Sequence, residues 1–116
     1  MEYTNKTVSI LGTEYKVEFR GEKEDKLLID CSGYTDETDQ VLVIQKIPEN
    51  NEFVNPDWRI KKTLRHEIIH AFLFESGLDN NTTMSGNWAR NEEMVDWIAR
   101  QFPKISKVYE QLGVMD

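Results

Sequence analysis

Asn55-Pro56-Asp57-Trp58-Arg59-Ile60-Lys61-Lys62-Thr63-Leu64-Arg65-His66-Glu67-Ile68-Ile69-His70-Ala71-Phe72-Leu73-Phe74-Glu75-Ser76-Gly77 is the stretch at which the chain changes period. Asn55 can cap a helix, Pro56 suits its first position, Asp57 favours its positive end and Gly77 supplies a stop. One helix of about five or six turns is predicted from Pro56 to near Ser76.

The residues before this stretch read as strands. Lys6 to Leu11 and Thr13 to Phe19 flank a turn at Gly12, and Tyr15, Val17 and Phe19 alternate with polar neighbours. Leu27 to Cys31 is a third short apolar run and Val41 to Ile47 a fourth, with turn-forming residues from Ser32 to Asp39 between them. After it, Val95, Ile98, Ala99 and Phe102 recur at helical spacing, which predicts a second helix over Asn91 to Phe102, with Trp88 an alternative start and Pro103 the end. Lys104 to Leu112, closed by Gly113, is predicted as a shorter third helix. Strands first and helices after give an α+β fold: a small, mostly antiparallel N-terminal sheet, then the long helix and the C-terminal helices.

A chain of 116 residues can bury one modest core, and no repeat or linker divides it, so residues 1–116 are expected to form a single domain. Acidic residues outnumber basic ones by 21 to 14, and the basic ones are interspersed, which argues against nucleic acid as a partner. The apolar runs are too short to span a membrane, and MEYTNKTVSI lacks the pattern of a secretory signal. Cys31 is the single cysteine, which excludes an internal disulfide and a Cys-based zinc knuckle, makes the cytoplasm the expected location and reads as a semi-buried strand residue. Trp58, Trp88, Trp97, Phe72, Phe74 and Phe102 are expected to pack in the core.

Within the long helix, His66-Glu67-Ile68-Ile69-His70 is an HExxH pattern. Spacing of four places the two imidazoles one turn apart on one face, within reach of a single ion, while Glu67 sits about 100° round the helix. Random placement of two histidines and thirteen glutamates would produce this arrangement only about 0.2 % of the time. Ile68, Ile69, Ala71, Phe72, Leu73 and Phe74 surround the motif, so the segment is expected to be buried, where histidines without partners would be costly. No third histidine exists, which leaves a carboxylate as the third ligand, and the second helix offers Asn91-Glu92-Glu93-Met94-Val95-Asp96.

HExxH followed about twenty residues on by N-E-x-x-x-D resembles the gluzincins, the thermolysin-type zinc peptidases. The small size, with strands ahead of the active helix, is similar to the compact ImmA/IrrE-type peptidases of phages and mobile elements, a minimal zincin-like form. Residues Trp58 to Phe102 carry the resemblance. It implies that Glu92 is the third zinc ligand, with Glu93 the competing candidate, and that Asp96 fixes the tautomer of His66 or His70. Glu92, three before Val95, shares its inward face, whereas Glu93 points more toward Trp97 and Arg100. Without a metal, Glu92 and Glu93 would be ordinary first-turn carboxylates favoured by the helix dipole.

The resemblance implies a Zn2+-dependent endopeptidase that cuts a protein or peptide substrate, with a regulatory protein one candidate, through a metal-activated water with Glu67 as general base. It further implies an oxyanion donor, for which Tyr34, Tyr109 and Arg90 are candidates, and an edge strand beside the active helix that pairs with substrate, for which Val41 to Gln45 is the candidate. The competing expectation is a zinc-binding, catalytically inactive zincin-like interaction module of a phage or mobile element.

Overall fold

A computed structural model describes residues 3–47, 54–78 and 91–115. Trp88 and Arg90 lie outside the described residues, as does the side chain of Tyr109. The architecture is α+β: a four-stranded mixed sheet followed by two long helices.

Strands β1 (Lys6–Ile10) and β2 (Thr13–Arg20) form an antiparallel hairpin in which Ile10 pairs with Thr13. Its two-residue turn has positive φ at both Leu11 and Gly12 (51° and 88°), the backbone twist that a tight hairpin demands. Tyr15, Val17 and Phe19 of β2 are buried, as their alternation predicts. After the hairpin the chain makes a short 3-10 turn (Lys26–Ile29), then β3 (Gly33–Asp36) and β4 (Val41–Gln45).

The strand order is β1-β2-β4-β3, so β4 lies between β2, to which it is parallel, and β3, to which it is antiparallel. Two of the three pairings are antiparallel, and the parallel one sits at the centre. Every residue of β4 is buried, as expected for a strand covered on both faces. Leu42 and Ile44 join Tyr15, Val17, Phe19, Ile60 and Ala71 in the main core, while Val41 and Val43 pack with Leu28 and Tyr34 on the other face. The expectation that Val41 to Gln45 is an edge strand is therefore corrected: β3 forms that edge of the sheet.

Leu27 to Cys31 is likewise not a strand. Asp25 caps the segment by accepting from the Leu27 amide at 3.1 Å, and of its apolar residues only Leu28 is buried. Cys31 is exposed and free. The strand lies further on, at Gly33–Asp36, whose residues are all half-buried and so carry no hydrophobic alternation. Pairing with β4 and contact with the first helix define it instead.

Helix α1 (Pro56–Glu75) begins where the sequence predicts, with Asn55 Oδ1 accepting from the Trp58 amide at 3.1 Å and Gly77 leaving at φ 83°. Its buried stripe is Ile60, Thr63, Glu67 and Ala71, turned to the sheet. The helix is thus not buried all round, and Phe72 is 40% exposed. Thr13 and Tyr15 tie its far end to the sheet by donating to the two carboxylate oxygens of Glu75 at 2.8 and 2.7 Å.

Helix α2 (Glu92–Leu112) is continuous through Pro103, which overturns the expectation of two helices meeting there. The ring removes the amide that would bond the Ala99 carbonyl, but residues on both sides keep helical geometry, so the proline interrupts bonding without ending the element. Asn91 caps it, accepting from the Met94 amide at 2.9 Å, and Val95 and Ala99 are its buried anchors. Trp58, Trp97 and Phe102 are half exposed and not core residues, because each helix buries a single stripe. Among the described residues no helix is long and apolar enough to cross a membrane.

Candidate metal centre

The antiparallel packing of α1 and α2 brings together residues that are distant in sequence. His66 Nε2 lies 3.1 Å from Glu92 Oε2, His70 Nε2 lies 2.7 Å from Glu92 Oε1, and the two Nε2 atoms are 3.2 Å apart. The rings meet edge to face, 4.9 Å between centroids. His66, His70 and Glu92 therefore form a group that could hold a metal ion, with donor atoms all within 4.8 Å of one another. Glu92 and Glu93 are both exposed, and only Glu92 joins the group.

The donor chemistry fits a cation. With Glu92 ionised, its carboxylate only accepts, so satisfying both of its contacts requires a proton on each Nε2. The His66–His70 contact would then set two N–H groups against each other. A cation at the centre satisfies all three contacts together. Ligand bonds of about 2.0–2.1 Å in a tetrahedral site imply donor separations of roughly 3.3 Å, close to the His66–His70 and His66–Glu92 spacings.

Asp96, one turn after Glu92 on α2, places Oδ1 3.4 Å from Nδ1 of His66. Burial works to raise its pKa, but the bond from His66 and the nearby Arg100 and Lys62 prevail and hold it below the ordinary aspartate range. If Nδ1 donates to Asp96, the neutral His66 ring keeps Nε2 unprotonated and free to coordinate.

Glu67 belongs to the core-facing stripe of α1 and is 6% exposed. Burial raises its pKa above the usual glutamate range, while the Thr35 hydroxyl and the two imidazoles pull the other way. Thr35 Oγ1 lies 2.7 Å from Glu67 Oε1 and 3.1 Å from its carbonyl oxygen. Sequence reasoning missed Thr35, because a threonine in a segment rich in turn-forming residues carries no signal of its partner on α1.

Tyr34 is not brought to this group. It follows Gly33 on β3 and packs on the sheet face opposite α1, beside Leu28, Val41 and Val43. Its hydroxyl bonds Asp25 and receives Nη1 of Arg20 at 3.1 Å, and burial together with Asp25 pushes its pKa up to about 12. Comparison with known proteins yields no matching family, no similar curated protein and no similar solved structure.

Proposed function

We propose that the protein is a zinc-dependent metallopeptidase of compact gluzincin type, similar to the ImmA/IrrE peptidases, acting in the cytoplasm on a protein or peptide substrate. The observation that carries this reading is the convergence of His66, His70 and Glu92 beside a buried carboxylate, Glu67, on the helix that bears the two histidines. Zinc, when bound, would polarise a carbonyl and lower the pKa of water.

Glu67 would take a proton from the attacking water and return it to the amine as the peptide bond breaks. The Thr35 hydroxyl holds the carboxylate in one orientation. Because β3 is the edge strand against α1, an extended substrate would add to the sheet there, and not at Val41 to Gln45. Asp96 would orient His66.

The test is turnover of a mixed peptide library by zinc-loaded wild type and Glu67→Gln protein, with chelator controls. Glu67→Gln should retain zinc and lose at least about a hundredfold in hydrolysis, since a positioned base contributes ~10²–10⁴-fold. Cleavage that survives in the variant would sink the assignment of the base. Zinc binding with no cleavage by either protein would favour the inactive binding module.

A further inference from the structure

The two carboxylate oxygens of Asp96 serve different partners. Oδ1 is 3.4 Å from Nδ1 of His66, near the outer limit of a hydrogen bond, so this contact alone fixes the carboxylate loosely. Oδ2 is 2.8 Å from Nε of Arg100, one turn further along α2, a close charge-assisted bond. The Arg100 guanidinium in turn lies 5.9 Å from the centre of the Trp58 ring, within cation–π range, and Lys62 Nζ lies 5.5 Å from the same ring. Trp58 is half exposed, so the indole is a seat for these cations and not a core residue.

We infer that Arg100 is a positioning residue for the donor cluster: seated against Trp58, it grips Oδ2 of Asp96 and so keeps Oδ1 beside Nδ1 of His66, while Nε2 of the same ring faces His70 and Glu92. The purpose of this arrangement rests on the metallopeptidase reading, whereas the arrangement itself does not. A neutral imidazole carries one N–H, and fixing it at Nδ1 decides which nitrogen can coordinate. The Arg100–Asp96 pair is partly solvated, at 45% and 32% side-chain exposure, so it contributes little to stability and its effect is on orientation.

The test measures zinc affinity by chelator competition in wild type, Arg100→Met, Arg100→Lys, Asp96→Asn and the Arg100→Met/Asp96→Asn double variant. Ring resonances of His66 in the metal-free wild type, Arg100→Met and Arg100→Lys proteins report whether Asp96 stays against Nδ1. Groups that orient a ligand typically change affinity 10–100-fold, and Arg100, one step further out, should cost roughly three- to tenfold. Arg100→Met should also shift the His66 ring resonances, and Arg100→Lys should recover part of both effects. The double variant should lose no more than Asp96→Asn alone, because Arg100 acts through Asp96. An Arg100→Met protein with unchanged affinity and ring resonances, or additive losses in the double variant, would overturn the inference. A wild type that binds no zinc would remove the metallopeptidase reading, and the His66 ring resonances of the metal-free proteins would still decide the role of Arg100.

Discussion

The Thr35 hydroxyl lies 2.7 Å from Oε1 of Glu67, so the edge strand β3 meets helix α1 at the ionisable member of that helix's buried stripe. Thr35→Val keeps the shape and removes the donor, leaving a buried carboxylate short of a partner. The expected cost is about 1–3 kcal/mol in urea unfolding, with most of it restored by Thr35→Ser. Equal stability of the valine and serine variants would show that the hydroxyl does not hold Glu67.

The legible parts of the chain were those whose local chemistry repeats. Asn55, Pro56 and Gly77 bracket α1, alternation marks β2, and His66, Glu67 and His70 stand together in sequence. What was not legible depends on distant partners. Gly33–Asp36 looks like a turn until β4 and α1 lie beside it, and Leu27–Ile29 looks like a strand until Asp25 caps it. The place of β4 at the centre of the sheet was also hidden, since an apolar run of four residues, Val41 to Ile44, suits an edge or a centre equally well. Pro103 misled because proline disfavours helix interiors without forbidding them.

Gly33 marks a close approach of β3 to its neighbours. A Cβ there would stand 2.7 Å from Cγ2 of Thr63 on α1 and 2.7 Å from the Val43 carbonyl oxygen. Gly33→Ala should therefore destabilise by about 1–3 kcal/mol, as overpacking does. Adding Thr63→Ser removes the methyl but not the carbonyl, so thermal unfolding of the double variant should show only partial recovery. A Gly33→Ala protein as stable as wild type would mean that β3 can move away from α1 at little cost.

Acid sensitivity should arise in part from Asp25. The Tyr34 hydroxyl and Arg20, with the Leu27 amide, hold its carboxyl below the ordinary aspartate range. A carboxyl depressed in the folded state gives stability that is present above its unfolded pKa and is lost as pH falls through its folded pKa. Urea midpoints measured from neutral pH downward should fall less steeply for Asp25→Asn than for wild type. Glu24, Asp36 and Asp57 are depressed in the same direction, so the variant should keep part of the slope. Superimposable pH profiles would exclude Asp25 from the effect.

The two adjacent glutamates that open α2 should separate cleanly in a metal titration. Glu92 places one carboxylate oxygen 2.7 Å from His70 Nε2 and the other 3.1 Å from His66 Nε2, whereas Glu93, one residue on and about 100° round the helix, is outside the group. Glu92→Ala removes one of three proposed protein ligands and should weaken zinc binding far more than Glu93→Ala, with His66→Ala and His70→Ala falling at least as far. Both glutamates lie in the first turn, where a carboxylate favours the helix by only about 0.3–1 kcal/mol, so neither alanine variant should lose the helix in the absence of metal. That pairing makes the comparison decisive, because a difference in zinc affinity between them cannot then arise from a damaged helix. Chelator competition in which Glu93→Ala loses more than Glu92→Ala would transfer the ligand role to Glu93. Zinc content unchanged in all four variants would refute the centre itself.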